Sequence, residues 1–239
     1  MNAPMARHHD PVRRSLLAGG LLLLGGCATV ETVPPPPAPV PAPRVRVGDR
    51  WRYQRINRYN GLQTGVLTME VVALEPQLRV RVTDETGAAQ PDEVYDRPWR
   101  VLQEPHYDVL QLFAQPQPLL PERIESGAKV RTYNGYRVPG NNDSFDWTEE
   151  LDALWWERVR VPAGDFDALR IQRRVWFNHS DWARIQERRR ETLWYAPSVN
   201  RWVQREWTGD YKWQSSERGE WFQEDWVAWR LIEYAPAGG

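Results

Sequence analysis

Three stretches of the 239-residue chain gather side chains that can do chemistry. His179-Ser180-Asp181 puts a base, a hydroxyl and a carboxylate in one run, the parts of a relay in which imidazole takes the hydroxyl proton and the carboxylate orients the imidazole. Adjacent residues on a short loop cannot fold round one another into that geometry, so the run predicts a turn between strands. The segment from Gly140 to Asp146, GNNDSFD, offers oxygen ligands to a calcium ion, but it lacks the glycine and closing glutamate of an EF-hand loop and predicts a solvated loop. Glu149 and Glu150 form a carboxylate pair, yet neighbours on a strand point to opposite faces and cannot share a proton. Beyond residue 26 the only histidines are His106 and His179, and there is no HExxH, GxSxG, zinc-type Cys/His spacing or phosphate-cradling glycine loop. These absences predict a non-enzyme with no cofactor and no metal.

The remaining reactive group is Cys27, the one cysteine in the chain. It follows a basic start with Arg7, Arg13 and Arg14 and an apolar run from Leu16 to Leu24. That run is shorter than the ~20 residues needed to span a bilayer as a helix, and it has the anatomy of a removable export signal. Leu24-Gly25-Gly26-Cys27 resembles the bacterial lipobox, in which the cysteine is acylated and becomes the first mature residue. The expected partner is therefore a membrane, reached through acylated Cys27. Ala28 in place of an aspartate resembles the sorting signal for the outer membrane, so the expected location is its periplasmic face, lipid-anchored. Arg13-Arg14-Ser15-Leu16-Leu17 resembles a twin-arginine signal as well as an ordinary basic start, and both export routes stay open. Cleavage removes three arginines and one aspartate, leaving 28 basic residues against 31 acidic ones. No basic excess remains to hold nucleic acid.

Three segments must carry these groups: a signal peptide at 1–26, a lipidated N-terminus with a proline-rich tether at 27–43, and a single β domain at 44–236. ETVPPPPAPVPAPR favours an extended polyproline conformation, which as a free spacer would stand the domain roughly 30 to 40 Å off the membrane. Period-two alternation dominates the rest. Leu78, Val80 and Val82 alternate with Arg79 and Arg81, and Leu169, Ile171, Val175 and Phe177 share one face of the next clear example. The expected strands are 50–59, 65–74, 78–84, 93–96, 129–138, 153–161, 168–178, 184–195, 201–208 and 220–234, the last one or two strands. DVLQLFAQ at 108–115 can form a turn or two of helix before Pro116, Pro118 and Pro121 stop it. In 184–194, Ile185, Glu187, Arg189, Glu191 and Leu193 share a face of mixed charge that can pair across strands, opposite Arg188, Arg190 and Trp194; the arginines could serve a phosphate or lipid headgroup, but solvated edge charges are the expectation for the segment.

VRVPAGDFDALRI at 159–171 and LWYAPSVNRWVQRE at 193–206 resemble the paired hairpins of a family of bacterial periplasmic proteins, itself similar to the lipoprotein-carrier group. Where the family usually has glycine, this chain has Asn200, which also tolerates positive φ. The resemblance implies a half-barrel with an apolar concave face. The fold expected is therefore all-β, a single strongly curved antiparallel sheet in a half-barrel or meander, with few or no long helices. Its 14 tryptophans either fill the core, line a cavity for an apolar or lipid ligand, or form a platform for a partner. The candidate contacts are Trp155, Trp194, Trp202, Arg188 and Arg190. The expected function is apolar or lipid ligand binding in envelope maintenance, or else docking of a protein or peptidoglycan partner.

Overall fold

A computed structural model describes residues 30–216 and 219–238. The thirteen strands are β1 (Arg50–Asn57), β2 (Gln63–Ala73), β3 (Leu78–Asp84), β4 (Ala89–Tyr95), β5 (Arg100–Glu104), β6 (Gln111–Pro118), β7 (Lys129–Arg137), β8 (Phe145–Val161), β9 (Gly164–Phe177), β10 (Arg184–Ala196), β11 (Arg201–Trp213), β12 (Trp221–Gln223) and β13 (Val227–Ala235). Consecutive strands pair antiparallel from β1 to β11, and β13 then inserts between β11 and β1. The sheet thereby closes into a 12-strand barrel, with the short β12 paired to β11 outside the ring. This corrects the half-barrel: all-β and antiparallel hold, but the concave face is enclosed. Among the described residues the only helix is the 3-10 turn Pro197–Val199.

Alternation builds the wall. Leu78, Val80 and Val82 are buried while Arg79 and Arg81 are exposed, and Leu169, Ile171, Val175 and Phe177 are buried along β9. Turns form at Asn60-Gly61, at Pro162-Ala163 and at Pro197–Val199, where Asn200 takes the left-handed conformation at φ 53°, whereas Asn134-Gly135, a turn pair by its sequence, lies inside β7. Charged residues such as Arg79, Arg81, Arg158 and Arg188 stud the outer face, which is the reverse of the apolar band that a lipid-facing barrel presents. Aromatic rings fill the inside. Trp51, Trp99 and Trp202 are fully buried and meet edge to face, as do Phe113 and Trp147 beside Tyr136.

Two further expectations are corrected. DVLQLFAQ is not helical: from Gln111 it enters β6, which runs through Pro116 to Pro118. The proline-rich segment is not a free spacer. Where β7 ends, β8 continues, and its open edge is taken by residues 31–33: Val33 N donates to Trp156 O (3.0 Å) and Arg158 N to Glu31 O (2.8 Å). Val33 and Val40 pack on the core, and Val45 is buried. Proline removes donors but does not stop the flanking valines from burying apolar surface. Cys27 and the lipobox residues Leu24, Gly25 and Gly26 lie outside the described residues.

Candidate functional site

The inward row of β9 carries Arg173 among its apolar residues, and the mixed-charge face of β10 points inward too, correcting the expectation that it is solvated. Arg173 forks onto Glu149 of β8 with Nε at 2.7 Å and Nη2 at 2.8 Å, and its Nη1 donates to Glu191 of β10. Arg205 of β11 also donates to Glu191, then reaches Glu104 at 3.3 Å and the Tyr107 hydroxyl at 3.0 Å. His106 bonds Glu93 at 2.6 Å, and Arg201 holds both oxygens of Glu93 at 2.7 Å. Four strands of wall are thus tied internally by alternating charges. Burial pushes the Glu93 carboxyl up, but the Arg201 charge and the His106 bond outweigh it and hold the group well below its ordinary range. Burial, with the Glu191 charge, lifts the Tyr107 phenol to about 12.

Near the mouth, Arg184 binds Asp108 (2.6 Å), Glu187 (2.5 Å) and Glu224 (2.6 Å). Burial raises Glu187 to about 7, with Arg184 offsetting only part of the cost. His179 Nδ1 accepts from the Asp181 amide (2.9 Å), so the ring proton sits on Nε2 and is donated to Asp108 at 3.0 Å. Both nitrogens are engaged, and Ser180 bonds neither. His179-Ser180-Asp181 is a turn, as its spacing requires. No cluster of three or more metal-ligating His, Cys, Asp or Glu side chains occurs among the described residues.

A different region is open. β6 and β7 share only two register pairs, Leu112 with Arg137 and Phe113 with Tyr136. Next to them the Asn134 side chain replaces the ladder, with Nδ2 donating to Gln115 O at 2.7 Å and Oδ1 accepting from Gln115 N at 3.2 Å. Gln117 then reaches across to Thr132 Oγ1 at 2.6 Å. Beyond these bridges the strands part, because Pro116 and Pro118 have no N–H to offer a ladder. The gap is a cleft of about 830 Å³, whose apolar lining includes Pro98, Pro116, Pro118, Leu120, Ile124 and Val130. It lies within the ~300–1,000 Å³ range of small-molecule sites. Arg97, Arg100, Arg123 and Lys129 line it too, against Glu122 and Glu125.

None of the five candidate contacts lines this cleft. Trp202 is fully buried in the core and cannot meet a ligand. Trp155 and Trp194 do come together: their indoles donate to opposite oxygens of Glu157, with Arg170 5.3 Å from each ring. Glu157 and Arg170 occupy hydrogen-bonding groups and ring faces that a ligand would use. Arg188 stacks on Trp221 at 3.8 Å and pairs with Asp210, while Arg190 is mostly exposed. The readable signal for the cleft was Pro116 and Pro118 inside an otherwise strand-like run, because proline in a strand marks an unpaired edge.

No family model matches the chain, and no curated protein matches it. Among solved structures, an inferred lipoprotein from Parabacteroides distasonis ATCC 8503 overlaps with a TM-score of 0.48 at 13% identity, over 80% of this chain and 96% of its own. The hypothetical lipoprotein YmcC from Escherichia coli overlaps at 0.44 and 11% identity, over 79% and 85%. An inferred exported protein with a YmcC-like fold, from Bacteroides fragilis NCTC 9343, overlaps at 0.40 and 11% identity, over 83% and 100%. Overlaps this loose carry no weight for function, which rests on the chain's own residues.

Proposed function

We propose that the chain is a non-catalytic lipoprotein of the bacterial envelope, held at the periplasmic face of the outer membrane by acylated Cys27, and that it binds an apolar ligand in envelope maintenance. The observation that carries ligand binding is the apolar cleft between β6 and β7. The barrel interior is not the binding space, since tryptophans and ion pairs fill it.

Mass spectrometry of the mature protein tests the anchor: added mass on Cys27 matching acylation is expected, and an unmodified thiol overturns it. The Cys27→Ser chain, titrated with the uncharged dye N-phenyl-1-naphthylamine, tests the ligand reading. Saturable binding that is lost in Val130→Trp, which fills the cleft, is expected. An absence of binding, or binding indifferent to Val130→Trp, refutes it.

Partner docking remains as a second reading because of one outer patch. Trp176 lies opposite Arg188 in the ladder, Arg188 stacks on Trp221, and all three are exposed. Aromatic and arginine side chains so placed are favoured anchors for a partner. Failure of the dye titration together with envelope assembly defects in Trp176→Ser and Trp221→Ser would favour it.

A further inference from the structure

Resting on the cleft as an apolar ligand site, we propose that its occupant is a fatty acid, selected by Arg100 and Arg123 through the carboxylate head. The rim holds four cations against two carboxylates. Two of the cations have acidic neighbours, since Arg97 faces Glu122 at 3.8 Å and Lys129 meets Asp152 at 3.1 Å. No ion pair is made by Arg100 or Arg123 among the described residues. Arg100 Nε is moreover buried without any hydrogen-bond partner. A carboxylate is the group that pairs two guanidiniums left without an acidic partner at a cleft, by charge-assisted bonds.

The rest of the cleft suits the other end of such a molecule. Pro98, Pro116, Pro118, Leu120, Ile124 and Val130 offer surface to a hydrocarbon and no side-chain donor or acceptor to a polar ligand. Each methylene removed from water there contributes ~0.8 kcal/mol. An apolar slot with unpaired arginines at its rim therefore fits one amphiphile better than either an uncharged hydrocarbon or a free anion. Glu122 and Glu125 are exposed on the rim and oppose the anion weakly, because solvent screens them.

Calorimetric titration of the Cys27→Ser chain with laurate and with 1-dodecanol, which share a chain length and differ in the head, tests this. Laurate is expected to bind one to one and at least about tenfold more tightly than dodecanol, the scale of a charge-assisted pair. Arg123→Glu, an exposed substitution that leaves the fold intact by thermal melt, should erase the preference while dodecanol affinity stays as it was, and Arg100→Gln should act in the same direction. Equal affinities unaffected by Arg123→Glu would overturn the head-group assignment and leave the apolar cleft standing. Binding of neither ligand would bring down the cleft reading itself. Free phosphate competing as well as laurate would show an anion site without a chain. A dimer in native mass spectrometry that Val130→Trp dissolves would make the occupant a second copy and overturn the proposal.

Discussion

The barrel has one knitted flank and one loose flank. From β8 to β11 the strands run 17, 14, 13 and 13 residues, with ladders along most of their length and alternating charges tying them from within. From β5 to β7 they run 5, 8 and 9 residues, and β6 meets β7 in two register pairs. The difference teaches where each kind of residue is used. Charges are buried where neighbouring strands can present partners at fixed register, and the wall opens where proline removes the ladder. The stiff flank supplies a frame, and the loose flank supplies room for a ligand.

Breaking the ion chain should cost most. Arg173→Met leaves Glu149 and Glu191 buried without their shared partner, and stability in urea melts should fall by about 3–5 kcal/mol. Arg123→Glu on the loose flank should stay within about 0.5 kcal/mol. Comparable losses at both sites would show that the flanks do not differ in energetic character.

Of comparable size is the aromatic core. Trp202→Ala should cost about 3–5 kcal/mol, since the indole is fully buried against Trp99. Trp155→Ala, at a side chain 39% exposed, should cost clearly less. An equal effect would mean that the outer Trp155, Glu157, Trp194 and Arg170 cluster is as much a core as the inside.

The knitted flank was legible in sequence apart from the first half of β8, and of the loose flank β7 was legible while β5 and β6 were not. Alternation gives the face of each residue, so Leu78, Val80, Val82 and the β9 row were readable, and so was the turn at Asn200. Alternation does not give a strand's partner. The closure depends on β13 lying between β11 and β1, which no local pattern encodes. The buried charges were half-visible: Arg173 sits at the third of five places in an otherwise apolar row, and Glu187, Arg189 and Glu191 share a face. Their partners come from other strands, so pairing across strands could be expected, while the partners themselves, Arg173 and Arg205 for Glu191, could not be named. β6 was missed because its prolines read as helix stops, when they mark a strand whose edge is open.

Titration separates the two flanks by pH. Glu187, raised from 4.5 to about 7, binds its proton more tightly when folded. Its favourable contribution is complete below about 4.5 and is lost as pH rises through about 7. Melting temperatures of Glu187→Gln should therefore gain on the wild type between those values, and parallel curves would refute the assignment. Glu93 and Asp108, held below their ordinary range, act oppositely: their stabilisation is present above that range and is lost in acid.

The smallest expected effect falls on the bridge that ends the β6–β7 ladder. Asn134→Ala removes a side-chain amide that both donates to and accepts from Gln115. The site is only half-buried, so water can replace part of what is lost, and the global cost should be about 1 kcal/mol. The local effect should be larger than the global one. With the bridge gone, only the Gln117–Thr132 bond still crosses the seam below Phe113, and amide exchange at Gln115 and its neighbours should quicken while β9 and β10 keep wild-type protection. Dye binding should persist, since the cleft is widened and not filled. If exchange quickens evenly round the barrel, the seam is not a separate opening unit, and the contrast between a frame and a yielding wall fails at its sharpest point.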